Sequence, residues 1–300
     1  MNIIQLLQDY NIDYSTSGAH TSRGWVNVVC PWCSNNGSIG QHMGIHLSAN
    51  ACNCWKCGSH KIVLTIASII NESEAFTATL LKRYVDVSFT KESVVKSAQL
   101  ALIKPSGLTS LTANHKKYLF KRGFDADELE SKWKLQSTGV LSRVGSISYK
   151  HRIYIPYFWN NELVTFDSRD VTNQSMNKYQ ACPVDREVMH RKSILYGNQS
   201  AWTDVGICVE GCADVWRFGD LAFATSGITF TSAQVRLIAK TFKTVYIVYD
   251  YEVQAQVQAR KLKAELRMRG VKAEVIGMTN GDPAEMTKNE ADTFIKNLLK

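Results

Sequence analysis

Two cysteine pairs, Cys30-Pro31-Trp32-Cys33 and Cys54-Trp55-Lys56-Cys57, constrain this 300-residue chain more than any other feature. Each pair can form a tight knuckle that aims both sulfurs at one metal, and four thiolates so arranged make a tetrahedral structural zinc site. In a small module, zinc supplies much of the folding energy, because no preformed site exists in the unfolded chain. The competing reading is two unrelated redox or buried CxxC pairs. The segment from Gln41 to Ala51 alternates loosely as a strand would and carries His42 and His46, which suits a ribbon. The expected ligands are Cys30, Cys33, Cys54 and Cys57. Cys52 is left out because its spacing to Cys57 does not make a knuckle, and His46 is read as a strand residue.

The remaining bulk properties narrow the class. Eight cysteines, four of them in knuckle spacing, fit a reducing compartment with a metal better than a secreted disulfide framework. The N-terminal MNIIQLLQDYNID has neither a basic n-region nor a small-residue cleavage site, so no signal peptide is expected. No apolar run is long enough to span a membrane. Hydrophobic content is 45%, and 35 Lys+Arg against 27 Asp+Glu leave a formal charge of +8. That modest basic excess is compatible with a polyanionic partner and equally with a solvated basic surface.

Periodicity divides the chain into several units. A short helix over residues 1 to about 14 leads into a ribbon at about 22 to 60. Helical spacing follows over His60 to Asn71 and Glu72 to Tyr84. The pattern weakens from Val85 to Thr112, where Lys104-Pro105-Ser106-Gly107 breaks it, and this stretch is the expected linker. Asn114 to Arg122 reads as a helix closed by Gly123, and Asp125 to Lys132 as a second. Residues 152–157 and 162–167 read as paired strands around the Asn160-Asn161 turn. Beyond them, short apolar strands at Val205–Val209, Leu221–Thr225, Val245–Tyr249 and Val271–Ile276 alternate with helices, the longest over Val253–Arg269. Alternation of this kind predicts a mainly parallel sheet covered on both faces. The expected fold is therefore a multidomain α+β and α/β chain. A small zinc ribbon with flanking helices spans 1–84, a linker 85–112, a mixed α+β subdomain 113–203 and an α/β domain 204–300.

Acids mark where the parallel strands end. Val209-Glu210-Gly211 has Asp214 one helical turn on, Tyr249-Asp250-Tyr251-Glu252 closes another strand, and Gly281-Asp282-Pro283 follows the last. In open parallel sheets, ligands sit beyond the carboxyl ends of the strands. Carboxylates gathered there repel one another, and Mg²⁺ or Mn²⁺, which prefer hard oxygen ligands, is the natural remedy. Taken singly, each acid also reads as an ordinary helix cap.

Val-Glu-Gly-x-x-Asp, then Tyr-Asp-x-acid, then Asp-Pro resembles a TOPRIM domain, as found in DNA primases, type IA and type II topoisomerases and some nucleases. The preceding motifs resemble the bacterial and phage-type primase branch. They are the cysteine ribbon, Tyr118-Leu119-x-x-Arg122-Gly123, His151-Arg152-Ile-x-Ile-Pro, Ser168-Arg169, Lys178-Tyr179 and Leu195-Tyr196-Gly197. The resemblance covers roughly residues 22 to 290. One departure stands out: Asp250-Tyr251-Glu252 replaces the family's Asp-x-Asp with an acid one methylene longer.

The resemblance implies a nucleotidyltransferase that makes short RNA primers on single-stranded DNA from ribonucleoside triphosphates, in the cytoplasm of a bacterium or a phage-infected host. It implies structural zinc in the ribbon and catalytic Mg²⁺ or Mn²⁺ on Asp250, Glu252 and Asp282. Asp214 belongs to the same motif, and Glu210 is either a further ligand or the acid–base residue at the 3′-OH. Arg152, Arg169, Lys178 and Lys192 form the expected basic wall for triphosphate and template. Trp32 and Trp55, inside the knuckles and near Trp25, Arg23, His42 and Lys56, are expected to stack on template bases or to complete the ribbon's small core. A replicative helicase would act in trans. The rival readings are a TOPRIM nuclease and a catalytically silent nucleic-acid-binding accessory protein.

Overall fold

The computed structural model describes the chain except for residues 1, 19–20, 34–39, 85–100, 176, 279–280 and 300. It divides into two compact units, Met1–Leu100 with Pro183–Asp185, and Ala101–Cys182 with Arg186–Lys300. Most of the expected linker, 85–100, lies outside the described residues. Its remainder belongs to the second unit: Thr109 pairs with Ser137, and Leu111 is buried.

In the first unit a short helix, α1 (Ile3–Asp9), buries Ile3, Leu6 and Leu7 and is capped by the Asn2 side chain. An antiparallel sheet follows in chain order: β1 (Tyr14–Ser15), β2 (Trp25–Val28), β3 (Met43–His46), β4 (Cys52–Cys54) and β5 (Gly58–His60). Val26, Val28, Met43 and Ile45 are fully buried, yet the strands are only two to four residues long. So small a core is hard to stabilise by burial alone. Two helices complete the unit: α2 (Ile62–Ile70), ended by Asn71 in the left-handed conformation, and α3 (Glu74–Leu81), capped by Ser73.

The second unit begins with α4 (Ala113–Lys121) and α5 (Ala126–Trp133), the latter capped by Asp125. β6 (Gln136–Ser137) joins a sheet of order β10-β9-β6, built on β9 (Arg152–Trp159) and β10 (Glu162–Asp170). A separate small hairpin pairs β7 (Arg143–Val144) with β8 (Ile147–Ser148). The β9–β10 hairpin turns at Asn160 and Asn161, with φ of 50° and 64°. Both positive values match the two-residue hairpin turn that asparagine tolerates best.

A five-stranded sheet follows, of order β11-β13-β12-β14-β15. Its strands are β11 (Tyr196–Gly197), β12 (Val205–Val209), β13 (Ala222–Ala224), β14 (Thr244–Ile247) and β15 (Lys272–Val275). The last four pair in parallel. The edge strand β11 runs antiparallel, so the sheet is mixed where the pattern predicted a mainly parallel one. Helices α6 (Cys212–Phe218), α7 (Ser232–Thr241) and α8 (Val253–Arg267) connect the strands, and α9 (Lys288–Leu298), which the pattern did not single out, closes the chain. One hydrophobic core runs from Leu119, Ile153 and Ile155 through Trp133 and Tyr196 to Ile207, Val209 and Val215. The expected boundary at 203/204 therefore falls inside a continuous core.

Several charges are buried at this join. Asp167 of β10 pairs with Arg191 at 2.9 Å, and both side chains are almost fully covered. Cutting one member of a buried pair leaves an uncompensated charge, which costs about 3–5 kcal/mol. Arg191→Leu is therefore expected to lower the free energy of urea unfolding by that amount, and Asp167→Leu/Arg191→Leu by clearly less than the two single losses combined. Unfolding curves of the three variants measure both.

Candidate metal centre and active site

In the first unit the register of β3 against β4, with Met43 opposite Cys54, sets the residue before one strand beside the knuckle that follows the other. The sulfurs of Cys33 and Cys54 lie 3.7 Å apart and those of Cys30 and Cys57 3.5 Å apart. Zinc–sulfur bonds of about 2.3 Å give a tetrahedron with edges of about 3.8 Å, so the thiols stand at ligand spacing. His42 joins them: its Nδ1 is 3.3 Å from Cys54 Sγ and 3.8 Å from Cys33 Sγ. The donor atoms of Cys30, Cys33, His42 and Cys54 all lie within 4.8 Å of one another. Cys57 Sγ also sits 3.2 Å from His60 Nε2. Cys30, Cys33, His42 and Cys54 thus stand at the spacing a four-coordinate metal takes, with Cys57 beside them, and their soft and borderline chemistry fits zinc.

The flanking groups sort themselves. Burial pushes the Cys54 thiol up, but the Cys57 and Lys56 amides and His42 outweigh it and bring it down to about 6. Cys52 donates instead to the His60 carbonyl and the Thr65 hydroxyl. His46 Nδ1 accepts from the amides of Ser48 and Ala49, capping its loop. Trp32 is 43% and Trp55 62% exposed, with Trp32 stacked on His60 and the Lys56 ammonium 5.4 Å over the Trp55 ring. Neither indole is spent on the core.

In the second unit the parallel pairing of β12 with β14 brings two strand ends side by side. The Glu210 carboxylate, just past β12, accepts the Asp250 amide at 2.9 Å. Asp214, in the first turn of α6, accepts the Gly211 amide at 2.9 Å, and the Ala284 amide also favours its charge. That second tie draws the Asp282-Pro283-Ala284 turn toward the same edge, where Asp282 caps the turn through the Glu285 amide. Burial and the neighbouring Asp250 push the Glu210 carboxyl up to about 8. Burial and Asp282 raise Asp214 to about 8, and burial, Asp282 and Glu252 raise Asp250 to about 7. Glu252 is exposed at the start of α8. All five expected acids thus act on one another. They stand further apart than the ribbon's donors, because among the described residues only the Cys30 group meets the 4.8 Å spacing. Mutually repelling carboxylates of this kind suit a hard divalent cation.

The expected basic wall separates into two kinds of residue. Arg169 faces the site's aromatic flank, donating to the Tyr118 hydroxyl at 2.8 Å and lying 4.8 Å over the Tyr179 ring. Lys178 is exposed. Arg152 and Lys192 are buried, at 5% and 2%. The Arg152 guanidinium donates to the Ser175 hydroxyl at 2.7 Å and the Asn177 carbonyl at 2.9 Å, and Lys192 Nζ to the carbonyls of Thr229 at 2.7 Å and Thr225 at 3.2 Å. These two hold backbone in place. Sequence reasoning quoted Arg122 in a motif but gave it no site role; burial works against its charge, and Tyr179, Tyr118 and Asp282 together outweigh that. Sequence reasoning missed Arg217, which clamps the carbonyls of Gly123, Arg122 and Ala284.

No family model matches the sequence, and no curated protein matches it. Solved structures do. The zinc-binding and RNA polymerase domains of the Aquifex aeolicus primase align over 100% of this chain and 82% of that one, at 18% identity and a TM-score of 0.55. A DnaG primase catalytic domain bound to ssDNA aligns over 62% of this chain and 71% of its own, at 18% identity and a TM-score of 0.54. The RNA polymerase domain of Mycobacterium tuberculosis primase DnaG gives 62%, 76%, 19% and 0.53 in the same order. The fold is primase-like.

Two outcomes follow from this geometry. Purified protein should hold about one zinc per chain. Cys30→Ser, Cys33→Ser and Cys54→Ser should each release it and Cys52→Ala should not. Cys57→Ser should retain it, more weakly, because His42 supplies a fourth donor. Metal analysis with chelator competition reads all five. The acids set a pH dependence. Their folded values of about 7 to 8 exceed the unfolded carboxyl range of about 4, so the native state binds more protons between those limits and stability falls as pH rises. Without divalent cations, the cluster's stabilising share is full below about pH 4 and lost as pH passes about 8. Thermal unfolding of wild type and Glu210→Gln/Asp250→Asn should show that slope in the first and a flatter one in the second. Added Mg²⁺ at about pH 8 should raise only the wild type.

Proposed function

We propose that this protein is a DNA primase, synthesising short RNA primers on single-stranded DNA from ribonucleoside triphosphates in a cytoplasmic replication setting, in association with a replicative helicase. What supports the reading is one observation above the rest: within a primase-like fold, Glu210, Asp214 and Asp250 share one sheet edge with Asp282, and burial together with the neighbouring acids raises all three carboxyls. The TOPRIM-like motif and the zinc ribbon with two exposed tryptophans point the same way.

Asp250, Glu252 and Asp282 would hold Mg²⁺ or Mn²⁺, which when bound neutralises charge on the reacting phosphate and aligns it for displacement. The protein's own groups do the rest. Glu210 is anchored through Oε1 to the Asp250 amide, which leaves Oε2 to take the proton of the attacking 3′-OH. Its raised pKa makes it a competent base near neutrality. Asp214 acts as a positioning residue, binding α6 to the Asp282 turn. Arg169 is held by its hydrogen bond to the Tyr118 hydroxyl and by the Tyr179 ring 4.8 Å away, and so presents its guanidinium to phosphate with less rotamer freedom left to lose. In the ribbon, zinc is structural, and Trp32 and Trp55 offer stacking faces to template bases.

The test combines a mixed-sequence single strand, labelled ribonucleotides and Mg²⁺ or Mn²⁺. Short new oligonucleotides are expected; a shortened template would indicate a nuclease, and neither product a binding protein. Asp250→Ala and Glu210→Ala should each reduce synthesis about a hundredfold or more, since lost charge stabilisation costs about 3–4 kcal/mol in a transition state, while strand binding survives. Glu252→Asp should keep or raise activity. Wild-type synthesis by Asp250→Ala would place the chemistry elsewhere.

A further inference from the structure

We infer that the second unit carries an additional nucleotide site, away from the acidic sheet edge, that takes a free nucleoside polyphosphate. A cavity of about 500 Å³ opens beside α4, within the size range of small-molecule sites. Asn114, Lys117, Tyr118 and Lys121 line it from one face of that helix, at the i, i+3, i+4, i+7 spacing. His151 faces them from the turn before β9, and none of the lining residues is acidic.

The charge pattern indicates an anion. Two lysines four apart on one helix face repel each other, and neither Lys117 nor Lys121 has an ion-pair or hydrogen-bond partner among the described residues. Their neighbour Lys116, on another face, is fully engaged with Asp127 at 2.5 Å and Glu130 at 3.7 Å. The nearby Asp170 carboxylate is occupied by the Thr172 hydroxyl and by the charge of Arg152. His151 is held with φ at +55°, a conformation that non-glycine residues adopt at some cost. Beneath it His115 is 4% exposed, with Nδ1 2.7 Å from the Thr112 hydroxyl. Its Nε2 forms no hydrogen bond, and burial holds the ring below the ordinary imidazole range, the Arg152 carbonyl opposing this only in part.

The rest of the lining suits a nucleoside. Tyr118, Val140 and Val171 give apolar surface for a base, and the side-chain amides of Asn114 and Asn173 suit a sugar. The phosphates would lie against Lys117, Lys121 and His151. Tyr118 is a shared wall, since its hydroxyl accepts from Arg169 on the side of the acids. The inference does not require that the chain make primers.

The experiment uses the full chain as Glu210→Gln/Asp250→Asn, in divalent-free buffer, so that binding at the acidic edge is removed. Labelled ATP should bind saturably at about one site per chain. Lys117→Ala/Lys121→Ala, both exposed positions, should weaken binding about tenfold or more, as should Asn114→Trp, which crowds the rim without removing charge. Tripolyphosphate should bind at least about tenfold more weakly than ATP, because it leaves the apolar wall uncovered. No saturable ATP binding, or unchanged binding in both variants, would overturn the site. Equal binding of tripolyphosphate, or displacement of ATP only by single-stranded DNA that binds far more tightly, would overturn the assignment to a free nucleotide.

Discussion

The parallel pairing of β12 with β14 is the constraint on which the candidate chemistry depends. Ile207 lies opposite Tyr246 and Cys208 opposite Ile247, so the chain leaves both strands at the same height and in the same direction. The Val248 amide still reaches the Cys208 carbonyl, and two residues on the Asp250 amide reaches the Glu210 side chain. The ladder's last rung is thus a carboxylate, and the next carboxylate follows on the very residue that donates to it. Crowding is built into the register. Burial then prevents water from relieving it, which is why Glu210, Asp214 and Asp250 all rise above the usual carboxylate range.

Keeping that edge in shape requires the loops around it to be fixed, and buried cations do this. Lys192 ties the 3₁₀ turn before β11 to the loop after β13, Arg152 gathers the carbonyls beyond β10, and Arg217 links α6 to both the α4–α5 turn and Ala284. Each cation replaces lost hydration with several carbonyl acceptors, which is the condition under which a buried charge is tolerated. Arg217 gains further from the Phe124 ring 4.1 Å away. The segments held are those that loop packing alone would leave loose, so the polar clasps complement the continuous apolar core beneath them.

Much of this was legible in the sequence because it rests on local pattern. The alternating β9–β10 hairpin with its Asn160-Asn161 turn, the short apolar strands ending in acids, and the knuckle spacing of the cysteines all depend on neighbours in the chain. What depends on partners far away was not legible. His42 joins the thiols only through the β3–β4 register, which the loop between those strands sets. Arg152 and Lys192 read as members of a basic wall, and only the fold reveals that carbonyls 25 to 37 residues on accept from them. A two-residue strand such as β11 carries no periodicity at all, and β11 runs antiparallel because it enters the sheet from the edge beside β13.

The two units solve the problem of small size in opposite ways, and this bears on Glu252. The ribbon has strands of two to four residues and leaves Trp32 and Trp55 exposed, so apolar burial gives it little and its clustered thiols and imidazole offer a metal as the further tie. The second unit has apolar area to spare and spends some of its stability on unfavourable acid contacts. In the proposed mechanism the Glu210 carboxylate is pinned to the Asp250 amide, whereas Glu252 stands exposed where α8 begins, with no capping hydrogen bond of its own. At such a rim position a longer carboxylate loses little, because its backbone starts further out and its extra methylene extends its reach. Substituting Glu for Asp at half-buried position 250, whose amide is tied to the Glu210 side chain, would instead press on a held loop. The departure from Asp-x-Asp therefore falls at the acid whose surroundings constrain its length least.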